Sequence, residues 1–283
     1  MTIAGRTVQP FESKGGPSMG AQDLSIFSLM SLLIFLFPIL YISRYLKLGI
    51  NRDILIGMVR MCLQLSFVGL YLEFLFKFDS PWLNTAYLLL MISIACHSIL
   101  KSSNLKIGIF FKPLFFSLLI PFGIMLLFFN GAVARIDNLF EAKYLVPVGG
   151  MLLGNCLRSI IIGLTHFYSG LKKNEKEYLY SLSLFNNRAQ ALKPWFKESL
   201  VAAINPTLAS MATIGLVSLP GMMTGQILGG SIPLVAIKYQ IAIMGCIFYT
   251  EYFSVILSIL FSLKTGFNAF DVLKTDIFQK DRN

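Results

Sequence analysis

Residues Gly215–Gly230 read "GLVSLPGMMTGQILGG" and continue into "SIPLVAIKYQ", which ends at Gln240. Five glycines and a proline thus fall in a tract between or within apolar runs near 199–221 and 237–262. In hydrocarbon an unsatisfied backbone group costs several kcal/mol, so non-helical backbone persists there only when it is buried in protein or borders water. Such a tract therefore needs a reason if its flanks cross a bilayer.

Composition says that they do. Hydrophobic residues are 55% of the 283 positions and charged residues 13%. Soluble domains carry about 25% charged residues, and a mean hydropathy of +0.70 fits no single aqueous core. The chain reads as an integral membrane protein. The four cysteines, Cys62, Cys96, Cys156 and Cys246, all lie in apolar runs with no CxxC spacing, and read as small buried hydrophobes.

Working outward, seven apolar segments can each cover a hydrocarbon core of about 30 Å. They fall near 24–43, 54–76, 83–100, 113–130, 145–169, 199–221 and 237–262. Residues 1–23 form a polar extracytoplasmic tail, and the run from Leu24 is too long for a signal-peptide core, so it reads as a retained span. Sixteen Lys and Arg lie in the segments joining spans 1–2, 3–4 and 5–6 and in the C-terminal tail, against five in the other loops and the N-terminal tail. That asymmetry places the N-terminus outside and the C-terminus in the cytoplasm. It also explains the net charge of +10 without nucleic acid. The expected fold is an all-α polytopic membrane protein of about seven transmembrane helices in a cell membrane, with a permease domain over 24–262 and a cytoplasmic tail over 263–283.

The long hydrophilic segment, 170–198, lies on the cytoplasmic side of this topology. Tyr178, Leu182, Phe185, Ala189, Leu192 and Phe196 recur every three or four residues and draw one apolar stripe down a helix, with Pro194 expected to kink or restart it. Two structures need such a stripe: a helix lying on the lipid surface, or a helix docked in a groove of a soluble partner.

Polar residues inside spans are few. Arg60 and Gln64 share a helix face, and an arginine at membrane depth costs at least about 2.5 kcal/mol unless it faces protein or water. Its plainest role is a clamp onto neighbouring carbonyls or a carboxylate; lining a pathway is the functional alternative. Arg158 invites the same pair of readings. Glu251 is the deepest carboxylate, suited to pair with one of these arginines or to coordinate a cation. Met222 and Met223 offer thioethers, although adjacent residues diverge on a helix. His97, His166 and Lys238 read as interfacial. No GxxxxGK[ST] loop, GxSxG elbow or zinc-ligand spacing occurs, so the chain has no visible means of hydrolysing ATP.

From Thr213 to Ile243, "TIGLVSLPGMMTGQILGGSIPLVAIKYQIAI" closely resembles FetB-like permeases, the membrane subunits of bacterial iron-export ABC transporters; plant aluminium-tolerance membrane subunits look similar. "VRMCLQLSFVG", Val59–Gly69, and "PVGGMLLGN", Pro147–Asn155, are weaker echoes, and the resemblance covers about 51–262. It implies a homodimeric permease, powered by a separate ATP-binding subunit that carries the ATP and Mg, with segment 170–198 as its docking helix. It also implies a gate and substrate pathway drawn from Arg60, Gln64, Asn155, Gly215, Pro220, Gly221, Met222, Met223, Gly225 and Glu251. Pro220-Gly221 is expected to break the sixth helix near the outer face. Where family members often carry an acidic residue and a lysine before "GLVSLPG", this chain has Ala209 and Ala212. The expected function is export of a metal ion or small solute. An ion-coupled secondary transporter and an intramembrane lipid enzyme are the rivals; the first would show internal repeats and a midplane carboxylate cluster.

Overall fold

The computed structural model describes residues 24–279. All regular structure among them is helical. Six helices are long and apolar enough to cross a membrane: α1 (Phe27–Tyr45), α2 (Asn51–Phe78), α3 (Pro81–Ser102), α4 (Ile107–Val133), α5 (Ala142–Lys173) and, last in the chain, Pro233–Gly266. At about 1.5 Å per residue, the 22 residues of α3 just cover the hydrocarbon core and the 32 of α5 project beyond it.

Three shorter or more polar helices lie between α5 and the last span: α6 (Glu175–Phe185), α7 (Arg188–Thr213) and α8 (Gly221–Leu228); Pro233–Gly266 is then α9. The expected sixth span, 199–221, is not one of the six apolar helices. Its residues up to Thr213 form the second half of α7, and the rest lead through a loop into α8. Arg188, Lys193, Lys197 and Glu198 at one end, and Asn205-Pro206-Thr207 in the middle, dilute its apolar character.

The chain divides into two compact units: residues up to Leu55 with Leu219–Gln240, and Ile56–Ser218 with the segment from Ile241 onward. In the second unit α5 is central, and glycines set how closely its neighbours approach. A Cβ at Gly149 would sit 3.0 Å from Leu88 of α3 and 3.3 Å from Phe122 of α4. At Gly163 it would sit 3.0 Å from Val255 of α9 and 3.5 Å from Ala203 of α7. Without a side chain, α5 brings its neighbours to backbone contact, which substitutes for the hydrophobic drive absent between helices in lipid.

A polar knot fixes the N-terminal end of α5. The Asp79 carboxylate accepts from the Ala142 backbone N–H at 2.8 Å and from Asn84 Nδ2 at 3.0 Å, while Asn84 also donates to the Phe140 carbonyl at 2.7 Å. Asp79 thus caps a helix 63 residues away and puts negative charge at its positive end. Asp79→Ala is expected to cost about 1–2 kcal/mol. Thermal melting in detergent checks this, and Asp79→Asn should recover part of the loss.

Residues 263–283 are not a loose tail where they are described. The last helix runs to Gly266, and Phe267–Gln279 folds back with Ile277 fully buried. The Lys106 N–H donates to the Ile277 carbonyl at 2.8 Å and Gln279 Nε2 to the Leu105 carbonyl at 2.8 Å, which straps the α3–α4 turn. The expected tail over 1–23 lies outside the described residues, as does 280–283.

Candidate functional site

The segment expected as one docking helix is two. The α6 helix ends at Phe185, Asn186 takes the left-handed conformation (φ 46°), and Asn187 caps α7 by accepting from the Ala189 N–H at 2.9 Å. Asparagine tolerates the first conformation and is among the best residues for the second. The break is therefore at Asn186-Asn187, and Pro194 sits inside α7.

That elbow splits the apolar stripe. Tyr178 and Leu192 are buried in the bundle, Leu182 and Phe196 are half-buried, and Phe185 and Ala189 are exposed. The apolar crest that reaches solvent is different: Tyr180 (66% exposed), Leu184 (63%) and Phe185 (54%), with Leu179 beside them. Leu179, Tyr180 and Leu184 were missed from sequence, although the four-residue spacing of Tyr180 and Leu184 was a readable signal.

The strap after α9 holds the elbow. Arg188 Nη1 meets Asp271 Oδ1 at 2.8 Å, and Tyr178 donates its hydroxyl to the Asp271 carbonyl at 2.6 Å. The Tyr178 ring meets Trp195 and Phe267 edge-on, each with centroids 6.0 Å apart, and the Arg188 guanidinium lies 5.8 Å from the Phe267 centroid. Burial, and secondarily the Asp271 carboxylate, push the Tyr178 phenol up to about 12; Arg188 opposes them. A phenol whose folded value lies above its unfolded one stabilises fully below the unfolded value of 10.0. That contribution is lost as the pH rises toward about 12. Tyr178→Phe should abolish this part of the alkaline pH dependence, read as the melting midpoint between those limits.

Within the spans, the expected residues do not converge. Glu251 of α9 is 1% exposed and accepts from Thr207 Oγ1 of α7 at 2.6 Å. The ion pair among the described residues is Arg188–Asp271, so of the two roles open to Glu251, pairing with Arg60 or Arg158 is not the one found. Arg60 and Gln64 point outward from α2, which is exposed throughout Val59–Leu70, and Cys62 is exposed with them, unlike the other three cysteines. The clamp expected of Arg60 is therefore not made among the described residues. Asn155 donates to the Met151 carbonyl of its own helix at 2.9 Å.

In the glycine tract the helix breaks earlier than expected. After Thr213, Gly215 adopts φ 84° and its N–H donates to the Ser218 carbonyl at 2.9 Å, which makes a tight loop with Leu216 and Val217 at its exposed tip. Pro220 is the residue before α8, and Gly221 opens that helix. No atom lies within 4 Å of a Cβ built at Gly215, Gly221 or Gly225. Within this chain, close helix approach thus belongs to Gly149 and Gly163 rather than to these glycines. Met222 and Met223 are half-buried, and the described residues contain no group of three His, Cys, Asp or Glu able to hold a metal.

The family described as "Uncharacterised protein family (UPF0014)" matches residues 26–267. The UPF0014 membrane protein YjkA of Bacillus subtilis is 30% identical over 77% of this chain and 85% of its own length. The probable iron export permease protein FetB of Escherichia coli is 30% identical over 89% of this chain and 95% of its own. The protein ALUMINUM SENSITIVE 3 of Arabidopsis thaliana is 30% identical over 83% and 85%. No solved structure matches.

Proposed function

Because the chain belongs to the UPF0014 family of multi-pass membrane proteins, we propose that it is the permease subunit of an ABC transporter that exports a metal ion or small solute. The observation that carries this reading is the α6–α7 elbow, with an exposed aromatic and aliphatic crest on one side and a clasp to the bundle on the other. A docking helix must offer a partner an apolar anchor and transmit its displacement inward. Tyr180, Leu184 and Phe185 supply the anchor. Arg188, Asp271 and Tyr178 carry the motion through the strap to the α3–α4 turn.

With no phosphate loop in its sequence, the chain relies on the partner for ATP and Mg. A second copy of the chain covers α2, because Arg60 and Gln64 need protein or water at membrane depth and the described residues give them neither a carboxylate nor a carbonyl. The Gly215 loop is the outer gate: its positive φ admits glycine readily and a branched residue only with strain. On this reading α7 completes a seventh crossing and leaves the elbow in the cytoplasm. FetB, named a probable iron exporter, supports a metal cargo. Cargo is the finer part of the proposal, since Ala209 and Ala212 stand where charged residues are frequent in that family.

The deciding experiment loads inside-out vesicles containing the protein, with and without a co-expressed ATP-binding subunit, and follows accumulation of divalent and ferric ions. Accumulation should need both ATP and the partner. Transport without either would favour an ion-coupled secondary transporter, a reading that the buried Glu251 keeps specific. Topology is checked separately with a cysteine at Lys173 in a background lacking the four native cysteines. A membrane-impermeant thiol reagent should reach it only after intact cells are permeabilised.

A further inference from the structure

One face of α9 carries a line of polar side chains that the transport reading does not use. Glu251, Ser254, Ser258 and Ser262 are each at most 3% exposed and recur every three or four residues toward the bundle interior. The lower two are satisfied: Ser258 bonds Ser117 of α4 at 2.8 Å, and Ser262 accepts from the Tyr168 hydroxyl of α5 at 2.7 Å. The upper two are less fully bonded. Glu251 has one close donor, Thr207, and Ser254, one turn along, is fully buried with no hydrogen-bond partner among the described residues. Ser159 of α5, 3% exposed, presents its hydroxyl to the same carboxyl.

A carboxylate buried in hydrocarbon costs several kcal/mol unless its charge is compensated. Among the described residues no basic side chain lies within ion-pair distance of Glu251. Arg158 of α5 bears on Glu251 from beyond ion-pair distance and is itself exposed, while Cys156 of α5 faces it as a thiol. From α7 only hydroxyls arrive. The donor set is one carboxylate with the hydroxyls of Thr207, Ser159 and Ser254. Hard oxygen donors of single net charge suit a small monovalent cation, whereas a transition metal favours imidazole or thiolate nitrogen and sulfur, or more carboxylates.

We propose that Glu251, Thr207, Ser159 and Ser254 form an intramembrane binding site for one small hard monovalent cation, either sodium or a proton, at the junction of α5, α7 and α9. The site goes beyond the ATP-driven reading, since its occupancy requires no partner subunit and sets the charge state of the helices that meet there.

The test uses purified full-length protein in detergent, with its melting midpoint read from tryptophan fluorescence. Sodium chloride replaces choline chloride at constant ionic strength and pH; in a second arm the pH is lowered without sodium. A cation that binds only the folded state raises the midpoint. The wild type should respond in at least one arm, and the arm identifies the ion. Glu251→Gln keeps the shape without the charge, and should fold, lose the sodium response, and shift less with pH than the wild type, because the other carboxylates, Asp79 and Asp271 among them, titrate in both. Thr207→Val should raise the half-saturating concentration about tenfold, the effect of losing one bond to a charged group. A wild type unresponsive in both arms, or a Glu251→Gln variant that responds like it, overturns the proposal. Neither result depends on whether an ATPase partner exists.

Discussion

Aspartate at both Leu184 and Phe185 should abolish co-purification of an ATP-binding subunit while the permease still folds and inserts. The two side chains are 63% and 54% exposed, so replacing them removes little internal packing. Exposed substitutions of this kind usually change stability by about 0.5 kcal/mol or less. At an interface their weight is different. A buried aromatic or aliphatic anchor is worth about 2 kcal/mol or more, and a charge desolvated in its place adds a further penalty. Two such sites amount to at least ~4 kcal/mol, about a thousandfold in affinity, enough to lose a complex during affinity purification. Leu192→Asp is the instructive contrast. It lies on the stripe legible in the sequence but is 3% exposed, so a charge there should unfold the elbow rather than merely release a partner. Undiminished association of the Leu184→Asp, Phe185→Asp variant would remove the α6 crest from the docking surface.

That contrast shows how far the sequence could be read. Periodicity records that apolar residues share a face, and it survives when the helix is cut, because Asn186-Asn187 redirects the chain without disturbing the count. It does not say which side of the face is covered, since the cover comes from Phe267 and Trp195, distant in sequence from Tyr178. The six long spans were legible because contiguous apolar character is a local property. All but the first extend beyond the expected bounds at both ends, as in Ala142–Lys173 against 145–169, because polar residues continue the helix.

Where a span mixes both characters, as α7 does, hydropathy stops being decisive. Its apolar half, Leu200–Thr213, follows a basic half that belongs to the elbow. Glu251 was recognisable as a deep carboxylate, yet its partner Thr207 lies 44 positions earlier on another helix, and no spacing rule connects them. The glycines at which helices press together were hidden for a related reason. A cluster such as Gly215–Gly230 attracts notice, whereas Gly163, alone in "IIIGLTH", gives no local sign that two helices press against it.

Gly163→Leu carries the largest stability effect expected in the transmembrane bundle, and Gly154→Leu on the same helix is its control. At Gly163 a Cβ would stand 3.0 Å from Val255 Cγ1, 3.5 Å from Ala203 Cβ and 3.9 Å from the Ser199 carbonyl oxygen. None of these can swing aside as the tip of a long chain would, so a leucine must push α7 or α9 away from α5. Val255 is one turn from Glu251, and Ala203 is one turn from Thr207, so the same displacement pulls at the 2.6 Å bond between them. Overpacking of this kind costs about 1–3 kcal/mol, and breaking a buried bond to a charged group about 1.5–3 more. Together they lower the melting midpoint by about 10 °C. At Gly154 nothing lies within 4 Å, and a leucine there meets only the surroundings of the helix. If both variants melted like the wild type, α5 would not be held between α7 and α9 as closely as Gly163 requires, and the seam that joins Glu251 to Thr207 would lose its mechanical basis.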